Sequence, residues 1–241
     1  MPLRLSGRAA TTGAVALAAV LAIAAGARTF LPLDAGFPLR AALYFVVMAA
    51  IAVIRIDREN HPFAEFGSAN SVTMARAAFV ALVAGVIGES DRPAVAAAAA
   101  GAAFAVTVVD GVDGWLARRT GMSSAFGARF DMEVDALLIQ VLSILAWTYD
   151  KAGPWVILSG LLRYVFVAAG WIWPWMERPL EPSRRRQTVC VVQVAALIVT
   201  IEPFVTRPYS AAIAATALAV LAGSFLVDTR WLVLHRRQQM A

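Results

Sequence analysis

Apolar residues fall in blocks along this chain. Runs rich in alanine, valine and leucine occur at about 9–26, 39–54, 70–88, 93–117, 129–149, 154–175, 188–203 and 209–229. Several have roughly the 20-residue length that a helix needs to cross hydrocarbon. No water reaches the bilayer core, so backbone groups there must be satisfied within each segment, which makes each run a helix. Turn signals separate the later runs: Gly88 to Pro93, Gly121 to Ser124, Gly153-Pro154, Pro179 to Pro182 and Pro203 to Pro208. The expectation is an all-α integral membrane protein of eight spans. The first run follows Arg4 and Arg8 and ends in small residues, as a secretory signal does. Its length and the many later spans favour an uncleaved helix. The connector from Arg55 to Gly67 mixes both charge signs with His61-Pro62 and is expected as an interfacial segment or a short amphipathic helix.

Composition agrees. Of the 241 residues, 60% are hydrophobic, more than the surface of a soluble domain of this length would allow. The net charge is +5, and Lys151 is the only lysine. A basic balance can mean nucleic acid, but here the arginines sit in short connectors, as positive-inside topology and attraction to anionic membrane lipids require. With the N-terminus in the cytoplasm, fourteen basic residues flank spans on that side. They are Arg4, Arg8, Arg55, Arg58, Arg118, Arg119, Arg129, Arg178, Arg184, Arg185, Arg186, Arg230, Arg236 and Arg237. Five (Arg28, Arg40, Arg92, Lys151, Arg207) lie opposite, and Arg76 and Arg163 lie within spans. Both termini are thus expected inside. Cys190 has no disulfide partner, and His61 and His235 have no metal-ligand spacing.

One stretch does not suit a lipid-facing helix: DGVDGWLARRTGMSSAFGARFDMEVD, residues 110–135. Carboxylates beside hydrocarbon need cations, protons or a catalytic reason. At about 100° per residue, Asp110, Asp113, Gly114, Ala117 and Arg118 share one helical face. In the next helix Asp131 and Asp135 are one turn apart, with Gly127 a turn earlier and Arg129 and Glu133 on the far side. Facing carboxylates repel unless cations lie between them, and hard oxygen ligands suit Mg²⁺ or Mn²⁺. Two such ions could bridge a pyrophosphate, and an arginine offers a planar donor for phosphate. Solvated helix faces, proton relays and ion pathways also use paired aspartates. A transporter would spread its charges through several spans, whereas these are concentrated in one helix–loop–helix. A catalytically silent scaffold is the third class.

The full pattern, D-x2-D-G-x2-A-R-x8-G-x3-D-x3-D, resembles the signature of the CDP-alcohol phosphotransferase family, with Asp110, Asp113, Gly114, Ala117, Arg118, Gly127, Asp131 and Asp135 in every defining position. The resemblance implies a six-helix transmembrane catalytic core, here 68–241, preceded by a 1–67 extension with two extra N-terminal helices. It implies a phospholipid-biosynthesis enzyme that joins an alcohol to the phosphate of a CDP-linked donor and releases CMP. Asp110, Asp113 and Asp131 would hold two divalent ions. Asp135 would complete that set and act as base. Gly114, Ala117 and Arg118 would accommodate the CDP group. CDP-diacylglycerol with a small polar alcohol is the expected substrate pair; a soluble CDP-alcohol with diacylglycerol is the reverse assignment. The expected location is a bacterial inner membrane, with the site facing the cytoplasm.

Asn70, Thr73 and Arg76 look like the N-x2-T-x2-R opening of the family's first core helix, beside the nucleotide. Alternatively Ser68 or Asn70 caps the helix while Arg76 snorkels to the interface. Arg163, inside a span, needs a partner, either an aspartate or an anionic acceptor. Arg184, Arg185 and Arg186 suit topology and lipid headgroups, or an acceptor phosphate. The extra helices would pack on the core or adjust oligomerisation, which leaves a homodimer open.

Overall fold

The structure is a computed structural model that describes residues 2–57, 59–178, 180 and 183–235. Within these, the side chains of residues 2–6, 111–114, 117 and 118 lie outside the description. Eight α-helices are present among the described residues, one for each apolar run: α1 (Pro2–Phe30), α2 (Phe37–Arg55), α3 (Ser68–Gly85), α4 (Pro93–Thr120), α5 (Ala125–Thr148), α6 (Leu158–Ile172), α7 (Arg184–Ile201) and α8 (Tyr209–His235). Stretches in α1, α2, α4 and α8, together with 154–172, are long and apolar enough to cross a membrane. The helices outside that set carry charge in or beside their apolar runs: Arg76 in α3, three acidic residues in α5 and three arginines opening α7. Large apolar side chains such as Leu39, Ile54, Val165 and Leu226 are exposed on their helices, as lipid-facing positions would be.

The chain divides into two compact units, Met1–Val141 and Leu142–Ala241. In the first, α3 packs against α1, α2 and α4. Small residues let α2 and α3 approach closely. A Cβ at Gly85 would lie 3.0 Å from the Cβ of Ala41 and 3.1 Å from the Phe37 ring. Arg40 fastens the same end of α3. Its Nε donates to the Gly85 carbonyl at 3.0 Å, while its other nitrogens pair with Asp34 and Glu89.

The connector between α2 and α3 is not a helix over its described residues. Asp57 accepts from the amides of Glu59 and Asn60, both at 2.9 Å, and Asn60 donates back to the Arg55 carbonyl at 2.7 Å. Such local side-chain bonds satisfy the backbone in a turn and compete with helix formation. The connector then docks. His61 is fully buried, its Nε2 against the Glu65 carbonyl at 2.8 Å and its Nδ1 against the Ser124 hydroxyl at 2.9 Å. The Phe126 amide donates to the Asn60 carbonyl at 3.0 Å, and Phe63 and Phe126 lie edge-on to the His61 ring.

In the second unit, α8 packs against α6 and α7. Lys151 is buried at the turn after α5 and donates to the carbonyls of Glu202 (2.9 Å), Pro203 (3.3 Å) and Val205 (2.9 Å). Ser210 donates to the Lys151 carbonyl at 2.7 Å, closing the same junction. Near the other ends of these helices, Arg185 bonds Ser224 and Asp228, and Arg186 reaches Asp228 at 3.1 Å.

Candidate active site

The site lies within the first unit, on α3, α4 and the N-terminal part of α5. The buried face of α4 runs through Val95, Ala99, Ala103 and Val106, a spacing of three and four residues. Asp110 follows at the next step of that stripe and therefore faces inward. On α5, Phe126, Phe130, Val134 and Leu138 are buried. Asp131 and Asp135 lie one residue further round, half-buried at the edge of that stripe. Small residues fill much of α3, and the run Asn70, Thr73, Arg76 follows one side of it, each buried.

These elements bring Asp110, Asp131 and Asp135 together. One carboxylate oxygen from each lies within 4.8 Å of the others. Arg76 sits among them, only 2% exposed. Its Nη2 is 2.5 Å from Oδ1 of Asp110 and 2.5 Å from Oδ1 of Asp135, and its Nη1 pairs with Oδ1 of Asp131. One guanidinium offsets one of the three carboxylate charges. Hard, anionic, all-oxygen donors with charge left over are the chemistry that binds a divalent ion such as Mg²⁺, so the residues present fit such a metal.

Asn70 and Thr73 are placed on the same helix. Asn70 Nδ2 donates to the Phe66 carbonyl at 2.6 Å, and Thr73 Oγ1 donates to the Ala69 carbonyl at 3.2 Å. Neither Ser68 nor Asn70 caps the helix: the cap position is Gly67, with no side-chain capping bond. Gly127 faces Asn70, and a Cβ there would lie 2.8 Å from Asn70 Oδ1. The Gly127 amide donates to Ser124 Oγ at 3.0 Å, so the His61–Ser124 contact reaches the first turn of α5.

Asp113, Gly114, Ala117 and Arg118 lie on α4, but their side chains fall outside the described residues. Arg163 is in α6 and Arg184–Arg186 open α7, in the second unit. Two features were not anticipated from the residues. Arg76 does not snorkel to an interface; it is enclosed by the aspartates. A lone charge inside an apolar run was the available signal, since such a charge needs a partner. The docking of His61 on Ser124 had no signal, because 63 positions separate the two residues.

Among the described residues every regular element is helical, five helices are long and apolar enough to cross a membrane, and α3, α4 and α5 converge on a carboxylate cluster, features that mark an integral membrane protein. The family model for CDP-alcohol phosphatidyltransferases matches residues 66–227, well over half of the chain, and the protein belongs to that family. It is accordingly a membrane transferase of phospholipid synthesis, taking a CDP-linked donor and an alcohol acceptor, in a family that generally uses a divalent metal. No curated protein and no solved structure matches the chain.

Proposed function

We propose that the protein transfers the phosphatidyl group of CDP-diacylglycerol to a small polar alcohol and releases CMP. The observation that carries this reading is the convergence of Asp110, Asp131 and Asp135 within one matched family core. In the transfer, a bond forms between the acceptor oxygen and the phosphatidyl phosphorus, and the bond from that phosphorus to the CMP oxygen breaks. The acceptor proton leaves to Asp135, since a hydroxyl is a poor nucleophile until a carboxylate takes its proton.

Asp110, Asp113, Asp131 and Asp135 are the residues that would hold two Mg²⁺ or Mn²⁺ ions. Ions bound there would offset the negative charge that develops on the pyrophosphate. Gly114, Ala117 and Arg118 accommodate the CDP group in this reading, with Asn70 and Thr73 beside the nucleotide. The hydrogen bonds of Asn70 to the Phe66 carbonyl and of Thr73 to the Ala69 carbonyl support this role, because they hold both side chains in fixed positions.

The proposed arrangement is an eight-span protein of the inner membrane, with both termini and the aspartates at the cytoplasmic surface. There a lipid tail stays in hydrocarbon while the nucleotide stays in water. Six of the spans form the catalytic core and two precede it. The packing of α1 and α2 on α3 supports a structural role for this extension.

A panel assay tests the substrate assignment. Purified protein receives CDP-diacylglycerol, Mg²⁺ and one alcohol at a time, and CMP is measured. Release that depends on one polar alcohol is expected. Release only from a soluble CDP-alcohol presented with diacylglycerol would reverse donor and acceptor.

A further inference from the structure

Arg76 stands out because its partners are the residues assigned to the metal. Its burial is nearly complete, and its two terminal nitrogens meet Oδ1 of Asp110, Asp131 and Asp135. Asp110 comes from α4 and the other two from α5. A single side chain from α3 therefore joins both carboxylate-bearing helices, and it does so through the carboxylates assigned to the metal. A planar guanidinium suits this task because several donors fan out from one charge.

A guanidinium and divalent ions cannot share those oxygens without cost. Each carboxylate oxygen turned toward Arg76 is less available to a metal, and like charges brought into one partly buried pocket repel strongly. We propose that Arg76 is a built-in counter-ion of the aspartate cluster, holding the carboxylates together and giving up part of its grip when divalent cations bind. Affinity for the metal is then set partly by how readily Arg76 yields. This inference rests on the metal reading above and goes beyond it, since a purely structural arginine would leave metal affinity unchanged.

Direct metal binding tests it without substrate or turnover. Purified protein in detergent is titrated with Mn²⁺, and free Mn²⁺ is followed by electron paramagnetic resonance. Three proteins are compared: wild type, Arg76→Gln and Arg76→Lys. Arg76→Gln removes the competing cation and is expected to bind Mn²⁺ about tenfold more tightly, or about 1.4 kcal/mol. Arg76→Lys keeps a charge but not the fan of donors, so it folds more readily and shifts affinity the same way by less. Thermal unfolding gives a second readout. In EDTA, Arg76→Gln should melt below wild type, and saturating Mg²⁺ should narrow that gap. Unchanged or weaker Mn²⁺ binding in both variants would overturn the inference, as would a melting gap equal with and without Mg²⁺. Absence of Mn²⁺ binding from all three proteins, wild type included, would instead sink the metal reading itself.

Discussion

The carboxamide of Asn70 occupies the space that a side chain at Gly127 would need. The Asn70 side chain is tied to the Phe66 carbonyl, and Oδ1 lies 2.8 Å from where a Cβ would stand. Gly127→Ala therefore pushes the start of α5 away from α3, and Asp131 and Asp135 move with it. Overpacking of this kind costs about 1–3 kcal/mol, and CMP release should fall at least about tenfold through misplacement of the aspartates. In the double variant with Asn70→Ala the clash has no partner, so part of the lost melting temperature should return. A double variant less stable than the sum of its single changes would contradict this contact.

His61 tests whether the connector positions α5. Its Nε2 donates to the Glu65 carbonyl, which leaves Nδ1 to accept from Ser124. His61→Ala removes both bonds and opens a cavity, for a loss of about 2 kcal/mol or more. The melting temperature of the purified protein should drop by several degrees. His61→Phe restores the volume without the bonds, so most of the drop should remain. Wild-type stability in His61→Phe would show that packing alone matters there.

The helices were legible because hydrocarbon imposes a length and a composition on each of them. The two aspartate faces were legible too, since helical angles alone put Asp110 on one face and Asp131 with Asp135 on another. Arg76 was harder. A long side chain six residues after Asn70 can snorkel outward or turn inward, and only the approach of α4 and α5 decides between them. The connector's mixed charges suit an interfacial segment or a short amphipathic helix, and it is not a helix because Asp57 and Asn60 satisfy its backbone locally while His61 anchors it to a distant serine. Such contacts leave no periodic trace along the chain.

Lys151 shows the same limit and gives a stability prediction. A lysine at a turn reads as solvated, but this one is enclosed by three carbonyls from the α7–α8 turn. Hydrogen bonds from a charged donor are worth about 1.5–3 kcal/mol each and do not add fully. Lys151→Met should lower the melting temperature by several degrees. Because Lys151 lies outside the assigned catalytic and binding residues, CMP release per folded molecule should stay near wild type. A variant that melts like wild type would remove Lys151 from the structural account.

Acid should weaken the clasp between the α1–α2 turn and α3. The hydrogen bond from Arg40 holds the exposed Asp34 carboxyl below its ordinary range, with help from the Gly36 amide. A depressed folded-state pKa contributes stability above the unfolded value, near about pH 4, and loses it as pH falls through the folded value. Asp34→Asn should therefore be slightly less stable than wild type at neutral pH. The difference should shrink toward zero as the medium is acidified below about pH 4. A difference that grows on acidification would have the wrong sign.

Carboxylate-dependent transfer from a CDP-linked donor is read out by CMP release from purified protein given CDP-diacylglycerol and the preferred alcohol. With Mg²⁺ present, wild type should release CMP steadily, EDTA should stop it, and restored Mg²⁺ should return it. Asp135→Asn keeps the shape of the side chain but cannot take the proton, so its rate should fall by about 10²–10⁴-fold. Equal release from Asp135→Asn and wild type, or release that persists in EDTA, would rule out a transfer that depends on Asp135 and a divalent metal.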